Sequence, residues 1–294
     1  LFSLSLSIIK WPGVPGSVIA FWRLIGSTIL WWVVLLIRRR RSGAALPSRG
    51  TARLMIVPAL FFGLNISIGF TAYTRTSIAH ADFIAALAPL LTIPAGFLLF
   101  RERPYWRALG WGIVSLVGLT IVLFRGPERG VATWQGDALA GAALLTLVAY
   151  LLSGKWVRSR GVDTWDLMAL LMPMALLTAS PVVLTLAGDE LWPLPGKAWA
   201  AIGILSVMTG MIGHGLIVFA HPRVPIATMS TLQVGQPALS AFWAWLLLGE
   251  EVTPAQLPGM VLVIAGIALV VWFTQRQRPE PATTGVTDVT ELLA

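Results

Sequence analysis

The chain has 294 residues, of which 56% are hydrophobic and only 12% charged, with a formal net charge of +8 and no cysteine. A soluble domain of this size cannot hide so much apolar surface, whereas lipid solvates it, so the composition points to a polytopic membrane protein. The missing cysteine excludes disulfides, thiolate metal sites and a cysteine nucleophile. The basic residues lie beside helix ends with no basic aromatic module among them, which excludes nucleic acid as a partner.

A membrane span needs about 20 apolar residues at 1.5 Å rise each. Leu1 to Ile9 is apolar but shorter than that, and it reads as the end of a span whose first half precedes it. The opening on Leu in place of Met agrees with this truncation. A signal peptide would explain neither the helix count nor the repeat described below. Nine complete spans follow, at 15–37, 54–72, 78–100, 105–124, 135–154, 165–187, 198–219, 226–248 and 254–273. From Pro279 to Ala294 the chain carries Pro, Thr and Gly without an apolar period and reads as part of a disordered cytoplasmic tail, 275–294.

The first candidate in chain order is Arg23, the one basic residue well inside a span. It needs a partner or water, and it can either receive a substrate carboxylate or extend its guanidinium to the outer interface. In the next span Asn65 and Ser67 lie near the middle, and the Asn65-Ile66-Ser67 sequon is unreachable inside a membrane. The span at 78–100 carries Asp82 in its first turn and Pro89 near its middle. Asp82 either complements the exposed amides of the helix start or carries a coupling proton. Pro89 removes a backbone donor, which makes either a hinge or a tolerated kink. Tyr150, at the end of the span at 135–154, suits a cavity wall or an interfacial belt. His214, with Thr209 and Gly213 nearby, is either a proton relay or a hydrogen-bonded packing residue. The span at 226–248 holds Pro237 and a polar stripe of Ser230, Gln233, Gln236 and Ser240, whose steps of three, three and four put them on one face.

Residues 70–124 and 218–272 align without a gap at an offset of 148. Arg75 pairs with Arg223, Pro89 with Pro237, Glu102 with Glu250 and Gly118 with Gly266. The polar stripe at 230–240 maps onto Asp82, Ala85, Ala88 and Thr92. Two facing stripes, one lined by amides and one by small residues, would enclose a cavity; the alternative is that the amides join helices through hydrogen bonds.

An odd number of spans per copy inverts the second copy across the membrane. Loop charge tests this independently. With the Arg38–Arg41 loop cytoplasmic, fifteen Lys and Arg residues lie on that side and five on the other, which also places both termini in the cytoplasm. The division is 1–124 as the first five-helix repeat, with its first helix truncated, and 125–274 as the second. Inverted repeats of this kind are the layout of secondary transporters, in which two halves rock around a site at the bilayer midplane.

Catalysis finds no support in the sequence. There are three histidines without metal-ligand spacing, no carboxylate pair within a span, no phosphate loop and no serine elbow. A membrane enzyme would gather acidic or histidine clusters at one face, and a channel would need rings of carbonyls or charges. Neither pattern is present, and no cofactor or metal is expected.

Ala86-Leu87-Ala88-Pro89 in the first copy, and Gln236-Pro237 with Leu247-Leu248-Gly249-Glu250-Glu251 in the second, resemble the paired signatures of the drug/metabolite transporter superfamily, EamA family. Lys10, Arg23 and Asn65 fit the same pattern. The resemblance implies an all-α polytopic protein of ten transmembrane helices, arranged as two inverted five-helix repeats around a central cavity in the inner membrane. Within the superfamily the chain is similar to amino-acid exporters of the YddG type. It departs from them at Ala86-Leu87-Ala88-Pro89, where an aromatic-rich variant is associated with aromatic substrates. The expected function is therefore export of amino acids and related small polar metabolites by alternating access, with broad selectivity and the monomer as the unit. A multidrug or nucleotide-sugar-like carrier of the same superfamily is the alternative. The resemblance implies substrate contacts at Asn65, Ala85, Ala88, Tyr150, Gln233 and Gln236. Arg23 is added as a candidate contact, Pro89 and Pro237 as hinges, and Asp82 and His214 as candidates for proton coupling.

Overall fold

In lipid every backbone N–H and C=O must find its partner within the protein, so apolar segments of this length fold as helices. The computed structural model describes every residue except 44, 76–83, 102–105, 126–132, 234, 237, 238, 240, 241, 244, 245, 247–253 and 277–294. All regular structure among the described residues is helical: α1 (Phe2–Lys10), α2 (Gly16–Ser42), α3 (Arg49–Arg75), α4 (Ala88–Phe100), α5 (Trp106–Phe124), α6 (Trp134–Ser159), α7 (Thr164–Ala187), α8 (Gly196–Leu205), α9 (His214–Ala220), α10 (Ile226–Gln233) and α11 (Leu257–Arg276). A π-helical segment, Ser206–Gly213, joins α8 to α9 into one continuous element.

Among the described residues, five helical stretches are long and apolar enough to cross a bilayer: Gly16–Ser42, Arg49–Ala72, Trp134–Ser159, Thr164–Glu190 and Gly196–Ala220. They coincide with the expected spans at 15–37, 54–72, 135–154, 165–187 and 198–219. Shorter apolar helices occupy Ile84–Phe100, Leu109–Ile121 and Pro254–Val270. Helix ends follow local chemistry. Thr133 caps α6 by accepting from the Gly136 amide at 3.1 Å, and Asp163 caps α7 by accepting from Trp165 at 3.2 Å. After Arg39, Arg40 and Arg41, α2 stops at Gly43, whose φ of 63° is the left-handed conformation that glycine adopts without cost. The α6 helix runs past the expected end at 154, so Lys155 and Arg158 lie on its last turns. Lys155 donates to the Val224 carbonyl at 3.0 Å, and Arg39 pairs with Asp166 across α2 and α7.

The apolar residues divide between a packed interior and an outer surface. Leu24, Leu35, Met55, Leu167, Met168, Leu171 and Met172 have no exposed area, whereas Leu98 and Leu177 are 75% and 73% exposed. In water such an outer face would drive aggregation; in hydrocarbon it is the stable arrangement.

The packing is reciprocal under the offset of 148. The α2 helix packs along α7, its own counterpart. The α3 helix packs along α7, and the 196–220 element packs along α2, which is the same contact shifted by one copy. The α5 and α11 helices, again counterparts, cross at two glycines. A Cβ on Gly118 would lie 2.7 Å from the Gly259 carbonyl, and one on Gly266 would lie 2.9 Å from the carbonyl of Trp111, the residue 148 before Gly259. Glycine is required at both positions because the backbones themselves are in contact.

Candidate functional site

The α2 helix sets one wall of the site through a stripe at fourfold spacing, Ile19, Arg23, Ser27, Trp31 and Leu35, all buried. This stripe faces the π-helical segment. Ser27 Oγ donates to the Ser206 carbonyl at 3.4 Å, Trp31 Nε1 donates to the Gly210 carbonyl at 3.0 Å, and Ser206 Oγ donates to the Arg23 carbonyl at 3.3 Å. A π-helix is wider than an α-helix and often marks a functional position. Here it carries His214 at its exit, and the three cross-helix bonds bring His214 Nε2 to 3.4 Å from Arg23 Nη2.

A cavity of about 230 Å³ opens at this point, walled by α1, α2, α3, α6 and α9 and by residues around α10. Arg23 and His214 line it together with Asn65 from α3, Tyr150 from α6, Gln233 from α10 and Gln236 just beyond. Ala85, Ala86, Ala140 and Ala143 supply its small surfaces. Phe62 packs against both Tyr150 and His214, with ring centroids 4.7 and 4.8 Å apart, and Phe2 stands edge-on to His214 at 5.0 Å. Aromatic rings thus fix the two polar rings in place.

The polar groups are not matched. Among the described residues, Arg23 Nε, His214 Nδ1 and Tyr150 Oη are buried without a hydrogen-bond partner. None of the described lining residues is Asp or Glu. Asn65 is better satisfied, its Nδ2 donating to the Ala143 carbonyl at 2.8 Å, so it joins α3 to α6 while lining the cavity.

The structure therefore brings together six of the residues singled out from sequence for substrate contact: Arg23, Asn65, Ala85, Tyr150, Gln233 and Gln236. His214 joins them. Ala88 lies elsewhere, packed against Leu144 and Val148 at the α4–α6 contact. The expected face alternates between the two surroundings because the helix is interrupted. Leu87 forms a turn between Ile84–Ala86 and α4, and the Leu90 amide donates to the Leu87 carbonyl at 2.9 Å. Pro89 consequently occupies the first turn of α4, where its missing N–H costs little, and not the interior of an unbroken helix. Thr92 bonds to the Ala88 carbonyl and Thr209 to the Leu205 carbonyl, both away from the cavity. Asp82, Pro237, Ser240 and the side chain of Ser230 lie outside the described residues. Phe2, Phe62 and Gly69 also line the cavity and were not anticipated, since an aromatic or a glycine in an apolar span carries no polar signal of its own.

Residues 134–272 match the family model described as the EamA-like transporter family. Over 212 residues the chain is 28% identical to the threonine/homoserine exporter RhtA of Escherichia coli (strain K12), covering 71% of this chain and 69% of that protein. It is 24% identical over 234 residues to an S-adenosylmethionine/S-adenosylhomocysteine transporter of Chlamydia trachomatis serovar L2, covering 76% and 72%. One solved crystal structure superposes with a TM-score of 0.74 at 19% identity, over 93% of this chain and 95% of the other, and so shares the fold.

Proposed function

We propose that this multi-pass membrane protein belongs to the EamA-like transporter family, whose model matches residues 134–272, and that it exports amino acids and related small polar metabolites across the inner membrane with broad selectivity. The observation that carries this reading is the cavity, walled by Arg23 and Asn65 from the first half of the chain and by Tyr150, His214, Gln233 and Gln236 from the second. It is the concave, convergent polar site expected of a small-molecule carrier. The exporter of threonine and homoserine among the relatives supports an amino-acid cargo.

In this reading the chain forms ten helices as two inverted five-helix repeats, 1–124 and 125–274, with both termini cytoplasmic. The reciprocal contacts of α5 with α11, and of α3 and 196–220 with α7 and α2, support that symmetry. The halves pivot near Pro89 and Pro237 and expose the cavity to each side in turn. The turn at Leu87 gives the first pivot a break in the helix where backbone dihedrals can change without disrupting an intact hydrogen-bond ladder. Ala88 then belongs to the moving contact with α6 and not to the substrate shell.

The S-adenosylmethionine/S-adenosylhomocysteine transporter among the relatives supports a second reading, a larger metabolite as cargo. Counterflow in liposomes decides between them. Purified protein is reconstituted and tested with labelled threonine, homoserine, phenylalanine and S-adenosylmethionine, with a sugar and a cationic drug as controls. Saturable, mutually competing exchange of several amino acids is the expected result. Exchange of S-adenosylmethionine alone would transfer the function to the second reading.

A further inference from the structure

The three unpartnered groups at one end of the cavity share a chemical property: each is a hydrogen-bond donor. His214 Nε2 faces the Arg23 guanidinium at 3.4 Å, and guanidinium nitrogens only donate, so Nε2 is the acceptor and the proton of a neutral ring resides on Nδ1. Nδ1–H, Arg23 Nε–H and Tyr150 O–H are then three buried donors with no acceptor among the described residues. Arg23 is 6% exposed and Tyr150 1%. A buried cation and three unmet donors are costly in a low-dielectric interior, and an acceptor entering the cavity relieves that cost.

We propose that Arg23, His214 and Tyr150 form a carboxylate-binding end of the cavity, so that the cargo carries a free carboxylate and no net positive charge. The inference rests on the cavity being the transport site. A carboxylate supplies one negative charge against the one guanidinium and about four lone-pair positions against the three donors. A phosphate dianion would leave a charge uncompensated, and a cation would meet Arg23 with no Asp or Glu among the described lining residues to balance it. Phe2, Phe62 and the rings of Tyr150 and His214 exclude water around the charge and strengthen the interaction. In the same cavity, Asn65, Gln233 and Gln236 offer carbonyl oxygens for a substrate ammonium or hydroxyl. The Arg23 guanidinium sets what must be present in the cargo, and the amides set what is tolerated beside it.

The test uses matched pairs that differ only in the carboxylate: threonine, homoserine, phenylalanine, glutamate and lactate, each against its amide, with inorganic phosphate as a further anion. Melting of the purified protein is measured with each compound, and each is also used to compete against labelled threonine in counterflow. Expected is stabilisation by at least one carboxylate and not by its amide, with the carboxylate competing about tenfold or more better. Arg23→Gln should abolish the discrimination while Arg23→Lys retains part of it, and Tyr150→Phe should weaken carboxylates without affecting amides. Equal effects of acid and amide on the wild-type protein, stabilisation by no carboxylate, or a preference for phosphate overturns the proposal whether or not the variants fold. Threonine exchange with equal competition by its amide overturns this inference and leaves the amino-acid reading. Carboxylate-dependent stabilisation without exchange of any amino acid does the reverse.

Discussion

Ser115 Oγ and the Val263 carbonyl lie 3.5 Å apart, and the two residues occupy the same position in the two copies, 148 residues apart. Beside them Gly118 meets the backbone of α11 as Gly266 meets the backbone of α5. Positions paired by the 148-residue offset thus face each other across the α5–α11 crossing. Adding a methyl at either glycine forces backbones apart, whereas Gly110, on α5 with open space around it, tolerates one. Gly118→Ala and Gly266→Ala should each cost about 1–3 kcal/mol through overpacking. Gly110→Ala should gain up to about 1 kcal/mol from helix propensity. Thermal melting in detergent reads all three, and equal stability of the three variants would remove the close crossing.

The bond from Trp31 to the Gly210 carbonyl ties α2 to the π-helical segment and so fixes Arg23 beside His214. Trp31→Phe removes the donor and replaces the bicyclic indole by one smaller ring. The lost interhelical hydrogen bond costs about 0.6 kcal/mol on average in a membrane and up to about 1.7, and the space left by the indole adds to that cost. KM for the cargo should rise more than kcat falls, because the substrate end of the cavity loosens. An unchanged KM would separate the π segment from the site.

Ala85 and Ala88 are three residues apart and have different surroundings, the cavity for Ala85 and the Leu144–Val148 contact for Ala88. Ala85→Leu should fill the cavity and suppress counterflow in protein that purifies normally. Ala88→Leu should lower yield and melting temperature by overpacking the α4–α6 contact. Parental transport by a well-folded Ala85→Leu variant would contradict the placement of Ala85 in the pathway.

Gln233 and Gln236 line the same cavity as Arg23. Replacing both by Ala should raise KM by about tenfold or more, as two amide contacts are lost in a desolvated site. Normal insertion with a parental transport rate would end their assignment to the substrate. A response to a pH gradient that survives the Asp82→Asn/His214→Gln double variant would end proton coupling through that pair.

His221 lies just beyond α9 and is fully buried against Gly154. Burial first, then the charges of Lys155 and Arg158, push its imidazole down to about 3. The folded protein therefore keeps this ring neutral while the unfolded chain protonates it below its ordinary value of 6.5. Its contribution to stability is complete above that value and is lost as pH falls toward 3. Melting temperature should decline over this interval, and His221→Asn should flatten the decline. A slope unchanged by the substitution would show that other groups govern it.

Much of the architecture was legible because membrane solvation leaves a strong mark on sequence. Apolar runs bounded by arginines gave the five long helices to within a few residues at most ends, and Gly118 and Gly266, paired by the offset of 148, both sit at the α5–α11 crossing. Helical spacing also selected Gln233 and Gln236, since polar side chains in an apolar helix are costly and turn inward. The π-helical widening at Ser206–Gly213 left no such mark, because its hydrogen bonds are completed by Ser27 and Trp31 from a distant helix. Nor did the interruption at Leu87, which moved Ala88 out of the face that a continuous helix predicts.

By itself, the sequence determined that the chain is helical and built of spans apolar enough to cross a membrane, since these follow from composition and periodicity along one dimension. Only the tertiary structure decided that Arg23, Tyr150 and His214 meet at one end of one cavity with their donors unmatched. Burial and pairing are properties of three helices brought together, and no single helix encodes them.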